Sequence, residues 1–552
     1  MSSRQHVVVA PDTRRMVEGL RDTGYTFNAA LADLIDNSIA ADATRVSVYL
    51  GWTTDRDIIL TVADDGHGMT TNGLKDAMRY GAPERPSRSS LGRFGLGLKT
   101  ASTGFCRRLT VMSRNAGSSP LSAAVWDLDD LVRAGEWNLD LGPADEGEEA
   151  LWEDSVAELH AIADEEVGAG TVVLWQKVDK LLKTASGAPA KNLDLALSKT
   201  EDKLRDHLRL VFQRYLNPND KRARNVSIAV NGVVLEAWDP FLEGRGGNCV
   251  LEKTLKMRPA YSGAEMEEYN ISLRAFILPR KDEYSSDETR DYANIGLDRQ
   301  GIYLYREERM IEGPDWLGTG ATETHLNTLR VELSFPAQLD EVMGVGIKKS
   351  GVHIDPQLIA LLKDLLAPVR READRLSRKG RATTAESSVS PNSSRPTERT
   401  IARLKGNLTV PKVESDSNGA VSLVNNSGQV VLRDGTGKAS GIVAIAVDAD
   451  DLGLNVVRDA SLDDGALWEA RLARSNIQVA INTGHQWYRK AYLPYAGDNN
   501  MVQAIEYLFY ALAQAEMNNT DVKAHETFEE FRIEVSRNLK KLVKDLAEPD
   551  DD

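Results

Sequence analysis

Cysteine is almost missing from this chain: of 552 residues only Cys106 and Cys249 carry a thiol, and neither has partners at metal-ligand spacing. A disulfide framework and a zinc site are therefore not expected, and a reducing cytoplasm is. Long apolar runs are also absent. The most apolar stretches, such as GIVAIAV at 441–447, are short and read as buried strands, so no membrane partner or spanning helix is expected. The first residues, MSSRQHVVVAPDTRR, lack the apolar core of a signal peptide. Positive charge is in deficit as well. A net charge of −16 excludes a wholly basic nucleic-acid module while leaving room for a local basic groove.

What is present is ordinary for a folded, several-domain chain: 41% apolar and 27% charged residues over a length that suits about three or four domains. Residues 1–245 alternate helical and strand patterns and read as a first α/β domain that ends at the glycine-rich patch 244–248. A second mixed domain spans 246–376. Residues 377–400, rich in Ser, Thr, Arg and Pro, bury too little apolar surface to fold and are expected to be a disordered linker. A C-terminal α+β region, 401–552, begins with glycine-punctuated β patterns and finishes in two helices. One has Met501, Val502, Ile505, Leu508, Phe509 and Leu512 on one face. The other has Phe528, Phe531, Val535, Leu539, Leu542 and Leu546 at near-heptad spacing, which suits core packing or a partner protein.

Three motifs follow one another within about 75 residues. LADLIDNSIAADA (31–43) sets Asp33 four residues ahead of Asn37, one turn apart on a single helix face, where an acid and an amide can hold a water and a metal side by side. The strand DIILTVADDGHGM (57–69) ends in Asp64, Gly66, Gly68 and Met69. A carboxylate there can accept a hydrogen bond from an exocyclic amine while a flat ring slides over the glycines. LGRFGLGLKTAS (91–102) offers Gly92, Gly95 and Gly97 with Lys99 at a helix start, a pattern that admits phosphate oxygens. The polar segment between the last two suits a mobile lid.

In this order the motifs resemble the GHKL superfamily of gyrase, the ninety-kilodalton heat-shock chaperone, histidine kinases and MutL, and their wording is similar to bacterial MORC-like ATPases. GAGTVVLWQKVDKL (168–181) resembles the superfamily's last nucleotide-binding motif. The resemblance covers about residues 12–376. It implies an α+β chain: a Bergerat-type α/β sandwich binding ATP, then a transducer-like α/β domain with a ribosomal-protein-like fold, then the linker and the C-terminal region.

It also implies roles. Asn37 would coordinate Mg²⁺, and Asp64 would accept from the adenine amine with Gly66, Gly68 and Met69 about the ring and Thr171 supporting a water. Gly92, Gly95, Leu96, Gly97 and Lys99 would wrap the phosphates. The superfamily's general base is a glutamate, whereas Asp33 stands in that slot, shorter by one methylene or roughly 1.5 Å. Slow hydrolysis is expected. VELSFPAQLDEVMGVGIKKSGVHID (331–355) resembles the segment that presents a γ-phosphate lysine, here Lys349 in preference to Lys348.

The architecture further implies an ATP-dependent homodimer whose N-terminal arms, residues 1–11, exchange as it clamps a client. DNA is the expected client, with the basic stretches 203–224 and 370–381 as candidate lumen, in phage defence or DNA restriction. A chaperone-like remodelling ATPase and a nucleotide-gated scaffold without turnover are the alternatives. His485, in the C-terminal region, is expected to be structural.

Overall fold

We describe the protein from a computed structural model. The described residues are 12–22, 24–80, 97–116, 120–182, 192–259, 267–345, 352–378, 397–401, 412–415, 421–425, 428–432, 442–447, 455–462, 465–473, 476–495, 499–519 and 524–546. The chain divides into two compact units. The first holds residues up to Asp239 together with Arg306–Ile311, and the second holds most of the remainder. No helix among the described residues is long and apolar enough to cross a membrane.

The first unit is built on one mixed sheet of eight strands: β1 (Arg45–Trp52), β2 (Ile58–Asp64), β3 (Cys106–Arg114), β4 (Ser122–Asp127), β5 (Asp140–Pro143), β6 (Gly170–Val178), β7 (Ser227–Val230) and β8 (Val233–Val234). They lie in the order β5-β4-β3-β6-β2-β1-β7-β8. Described pairs are antiparallel except β1 with β7. In chain order the helices are α1 (Thr13–Arg21), α2 (Phe27–Ala40), α3 (Thr71–Met78), α4 (Gly97–Thr103), α5 (Leu128–Ala134), α6 (Glu146–Ile162), α7 (Leu193–Val211) and the short α8 (Gln213–Leu216). This is the α/β sandwich that the sequence motifs imply.

Helix α6 starts with a capping box, in which the Asp145 side chain accepts from the Glu148 amide and Glu148 reciprocates. It sets Trp152 and Leu159 against Ala63, Met112 and Val172 on one face of the sheet. Because side chains alternate along a strand, Asp64, the residue after Ala63, points to the opposite face. There it meets α2. That helix is capped by Thr26, whose hydroxyl accepts from the Ala29 amide, and it is buried along most of its length through Leu31, Leu34 and Ile35.

The second unit contains β9 (Asn248–Pro259), β10 (Tyr269–Ile277), α9 (Asp287–Ala293), β11 (Gly301–Arg306), β12 (Arg309–Asp315), β13 (Leu329–Phe335), α10 (Pro356–Arg378), β14 (Lys412–Ser415), β15 (Val421–Asn425), β16 (Gly428–Leu432) and β17 (Ile442–Val447). It closes with β18 (Val456–Asp459), β19 (Trp468–Ala473), β20 (Asn476–Asn482), α11 (Asn499–Met517) and α12 (Ala524–Leu542). The tip between β11 and β12 belongs to the first unit. β17 pairs antiparallel with β9, so the regions expected as separate second and C-terminal parts share one nine-stranded sheet. Of the expected linker 377–400, residues 379–396 lie outside the described residues, and the described ends belong to helices or packed chain. α10 runs to Arg378, and Thr397, fully buried, hydrogen-bonds Glu506.

The expected single apolar faces of the last two helices also divide. Val502 and Phe509 are buried, with Phe509 against Trp468 at 5.3 Å, but Met501 and Leu508 are exposed. On α12, Phe531 is 51% and Leu542 77% exposed.

Candidate functional site

Strand β2 delivers Asp64 to the end of the sheet, beside Thr171 on β6, its partner in register. The carboxylate is 6% exposed. It accepts from the Ser38 hydroxyl at 2.8 Å and from the Gly66 amide at 3.0 Å. Burial raises its pKa to about 6, against the lowering effect of those two hydrogen bonds. Its neighbour Asp65 does a different task. Burial would raise that carboxyl too, but hydrogen bonds from Arg45 and Thr44 hold it below the usual range, and Arg45 continues to the carbonyls of Ala163 and Glu165 beyond α6. Asp65 thus locks the turn, while Asp64 stays the candidate acid of the site.

The glycines after Asp64 are dictated by backbone proximity. Gly68 has φ +63°, and a Cβ there would stand 1.9 Å from the Arg114 carbonyl oxygen. At Gly66 a Cβ would stand 2.7 Å from the Ala41 carbonyl oxygen. Met69, half-buried, is fixed by its amide donating to Ser113 Oγ at 2.8 Å, and the same hydroxyl lies 3.0 Å from Thr171 Oγ1. Asp64, Gly66, Gly68, Met69 and Thr171 therefore meet at one place, joined by two serines, Ser38 and Ser113, that the motif reading passed over. Ser38 had a visible signal, since it directly follows Asn37 on the helix; Ser113 had none.

Helix α2 carries Asp33 and, one turn on, the half-buried Asn37. Asp33 is 4% exposed and accepts from the Tyr25 hydroxyl at 2.9 Å. Burial, and then the charge of Asp33, push the Tyr25 phenol well above its ordinary range, so it stays a donor. Asp36, fully buried on the next turn, accepts from Arg309 Nε at 3.2 Å, and Arg309 Nη2 lies 3.7 Å from Asp33 Oδ1. Tyr25, Asp36 and Arg309 are further residues that motif spacing did not reveal. Gly97, at the start of α4, places its Cβ position 3.7 Å from Asp33 Oδ2.

Lys99 departs from expectation. Its ammonium is buried and donates to the carbonyls of Ala77 and Arg79, tying down the end of α3. In this arrangement it caps the end of that helix. Gly92, Gly95 and Leu96 lie outside the described residues, as do Lys349, its alternative Lys348, and the N-terminal arm.

Of the basic stretches expected to line a DNA lumen, 379–381 lie outside the described residues, and several of the described arginines are engaged within their own units. Arg205 pairs with Glu201, Arg214 with Glu308 and Arg222 with Asp220, while Arg209 donates to the Glu236 carbonyl. Arg370 pairs with Glu323, Arg375 with Glu372 and Arg378 with Asp374. Acids close in sequence or in the fold neutralise them, which a count of cations along the chain does not register. In the C-terminal region His485 is buried, with Nε2 3.2 Å from the Ser536 carbonyl and Nδ1 accepting from the Trp487 amide, so its hydrogen bonds are local.

Comparison with known proteins places part of this chain beside ATPases. Residues 25–159 match the family described as histidine kinase-, DNA gyrase B-, and HSP90-like ATPase. ATPase MORC2B of Mus musculus is 39% identical over 77 residues, 13% of this chain and 8% of that protein. ATPase MORC2 of Homo sapiens is 36% identical over 77 residues, again 13% and 8%. Protein MICRORCHIDIA 6 of Arabidopsis thaliana is 33% identical over 101 residues, 17% of this chain and 15% of that protein. The chain thus aligns with only a small part of these relatives' length. Among solved structures, the crystal structure of the N terminal domain of a DNA repair protein covers 66% of this chain and 98% of its own at 15% identity, with a TM-score of 0.35, too slight to bear on function.

Proposed function

The chain carries a GHKL-type ATPase domain with a MORC-like relationship, and from that premise we propose that the first unit binds ATP with magnesium and hydrolyses it slowly. The observation that carries this reading is the buried Asp64 carboxylate, aimed across the sheet end with Gly66, Gly68, Met69 and Thr171 around it. An ionised carboxylate offers about four lone-pair sites, so the acid that accepts from Ser38 and Gly66 in this dry site also suits an exocyclic amine.

The residues present also suit the metal. Asn37 would hold Mg²⁺ through one hard oxygen on the helix face that carries Asp33, and the ion would neutralise charge on the phosphates. Asp33 takes the proton of the attacking water, and Tyr25 orients its carboxylate. The aspartate's short reach is the reason turnover is slow.

In this proposal ATP brings two copies together, and DNA is the client, in phage defence or restriction. The client rests on the family resemblance, because several arginines of the basic stretches are internally paired. The exposed Phe531 and Leu542 of α12 support a partner protein at the C-terminal helices. Phosphate release measured with and without duplex DNA, alongside calorimetry with Mg·ATP, tests the whole. Binding with slow release that DNA accelerates is the expected result, and Asp33→Asn keeps binding while losing about 10²-fold or more of the release. DNA-indifferent release points to a remodelling ATPase, binding without release to a gated scaffold, and absence of binding sinks the reading.

A further inference from the structure

Arg309 lies some 270 positions from the helix it serves, outside the stretch that matches the ATPase family. It sits just past the turn between β11 and β12, and that turn is unusual. Glu307 and Glu308 have φ +47° and +66°, so two side-chain-bearing residues adopt the left-handed conformation that hairpin turns normally reserve for Asn and Gly. The turn is pinned on both sides by α8. Arg214 pairs with Glu308, and the Tyr215 hydroxyl donates to the Glu307 carbonyl at 2.8 Å. Strain retained in a turn anchored this firmly marks a position where the next residue must be delivered accurately.

The delivered guanidinium goes to the acids of α2. Asp33 and Asp36 stand three residues apart on one helix, 4% and 0% exposed, a like-charged pair that needs a cation in such a dry place. Nε donates to Asp36 Oδ1 at 3.2 Å, Nη1 donates to the Met310 carbonyl at 3.2 Å, and Nη2 faces Asp33 Oδ1 at 3.7 Å; the guanidinium also lies 5.8 Å from the Phe212 ring centre. The plane of the guanidinium is therefore set by groups other than Asp33. Tyr25 holds the opposite carboxylate oxygen, Oδ2, at 2.9 Å.

Resting on the ATPase reading above, we infer that Arg309 is a positioning residue: it fixes the orientation of the hydrolytic Asp33 carboxylate from a hairpin whose strands continue, as one chain, into the second unit. An aspartate has less reach than the glutamate it replaces, so its direction matters more, and misplacement by about 1 Å costs on the order of a hundredfold in rate. Arg309 touches neither nucleotide nor water in this scheme. Its effect passes through Asp33.

The experiment uses the full chain, with steady-state phosphate release at saturating Mg·ATP and binding of a fluorescent ATP analogue. Arg309→Met is expected to lower kcat by roughly ten- to a hundredfold with nucleotide affinity changed less than about threefold, and Arg309→Lys to recover part of the rate. In an Asp33→Asn background the same Arg309→Met change is expected to make no further difference to the residual rate, because the two act as one unit. Since Arg309→Met removes a charged partner of the buried Asp36, the pair Arg309→Met with Asp36→Asn, its folding checked by thermal melting, supplies a second test and should show the same kcat loss. The inference is overturned if that folded pair turns over at the wild-type rate, if affinity and kcat fall together, or if the Arg309 and Asp33 effects multiply independently. A wild-type chain that binds ATP but releases no phosphate overturns the ATPase reading itself, a result distinct from any of these.

Discussion

Keeping the Asp64 carboxylate in a dry site has a measurable cost. Its pKa in the folded chain is about 6 against 3.8 for the free group. Between those values the folded protein holds a proton that the unfolded chain has released. Its contribution to stability is therefore complete below pH 3.8 and is lost as pH rises through about 6, by roughly 3 kcal/mol at order-of-magnitude precision. Denaturant titrations of the ligand-free protein at pH 4 and pH 7 should show this slope in the wild type and lack it in Asp64→Asn; equal slopes would remove Asp64 as the cause. Nucleotide affinity should run the opposite way, weakening below about pH 6 as the acceptor is protonated. Calorimetry across that range checks it. Asp64 was legible as a candidate acid because a carboxylate before two glycines at a strand end, in order with the neighbouring motifs, is a local pattern. The serines and Tyr25 around the site were not, since hydroxyl residues are common and only their meeting gives them meaning.

Helix α2 is the element on which the site depends, because it holds Asp33, Asp36, Asn37 and Ser38 together. Its start rests on Thr26, exposed and capping Ala29. Thr26→Ala should destabilise the protein by about 1 kcal/mol. Fraying the first turn near Tyr25 and Asp33 should also lower turnover at saturating ATP; thermal melts and phosphate release read the two effects separately. The existence of α2 and its helical face were readable from spacing, whereas its meeting with the glycine strand was implied only by the family resemblance. Lys99 shows the limit of that approach. A lysine after glycines at a helix start has the local pattern of a phosphate ligand, yet the fold brings the carbonyls of Ala77 and Arg79 within 2.9 and 2.6 Å of it. Lys99→Met should therefore loosen the end of α3, seen as faster amide hydrogen exchange at 75–80, in the absence of any nucleotide. The C-terminal helices teach the same lesson. Near-heptad spacing was visible, but which of those positions are covered depends on what packs beside them.

For the molecule as a whole, the proposed clamp makes one clear demand. Sedimentation with Mg²⁺ and a non-hydrolysable ATP analogue should shift the full chain from a lighter to a dimeric species, and Asp64→Asn should prevent the shift; a single species in every condition would argue against nucleotide-driven pairing. Chain order by itself determined the α/β character of the first unit and the succession of acid, amide and glycine motifs, because each is encoded by short-range periodicity and by residue types within a few positions of one another, and the motif strings carried the resemblance to an ATP-binding family. Tertiary structure alone decided that β17 pairs with β9, that Arg214 pairs with Glu308 and Arg370 with Glu323, and that Arg309 stands beside Asp33 and Asp36. Strand register and long-range ion pairs are set by the packing of distant segments. No spacing along the chain carries that information.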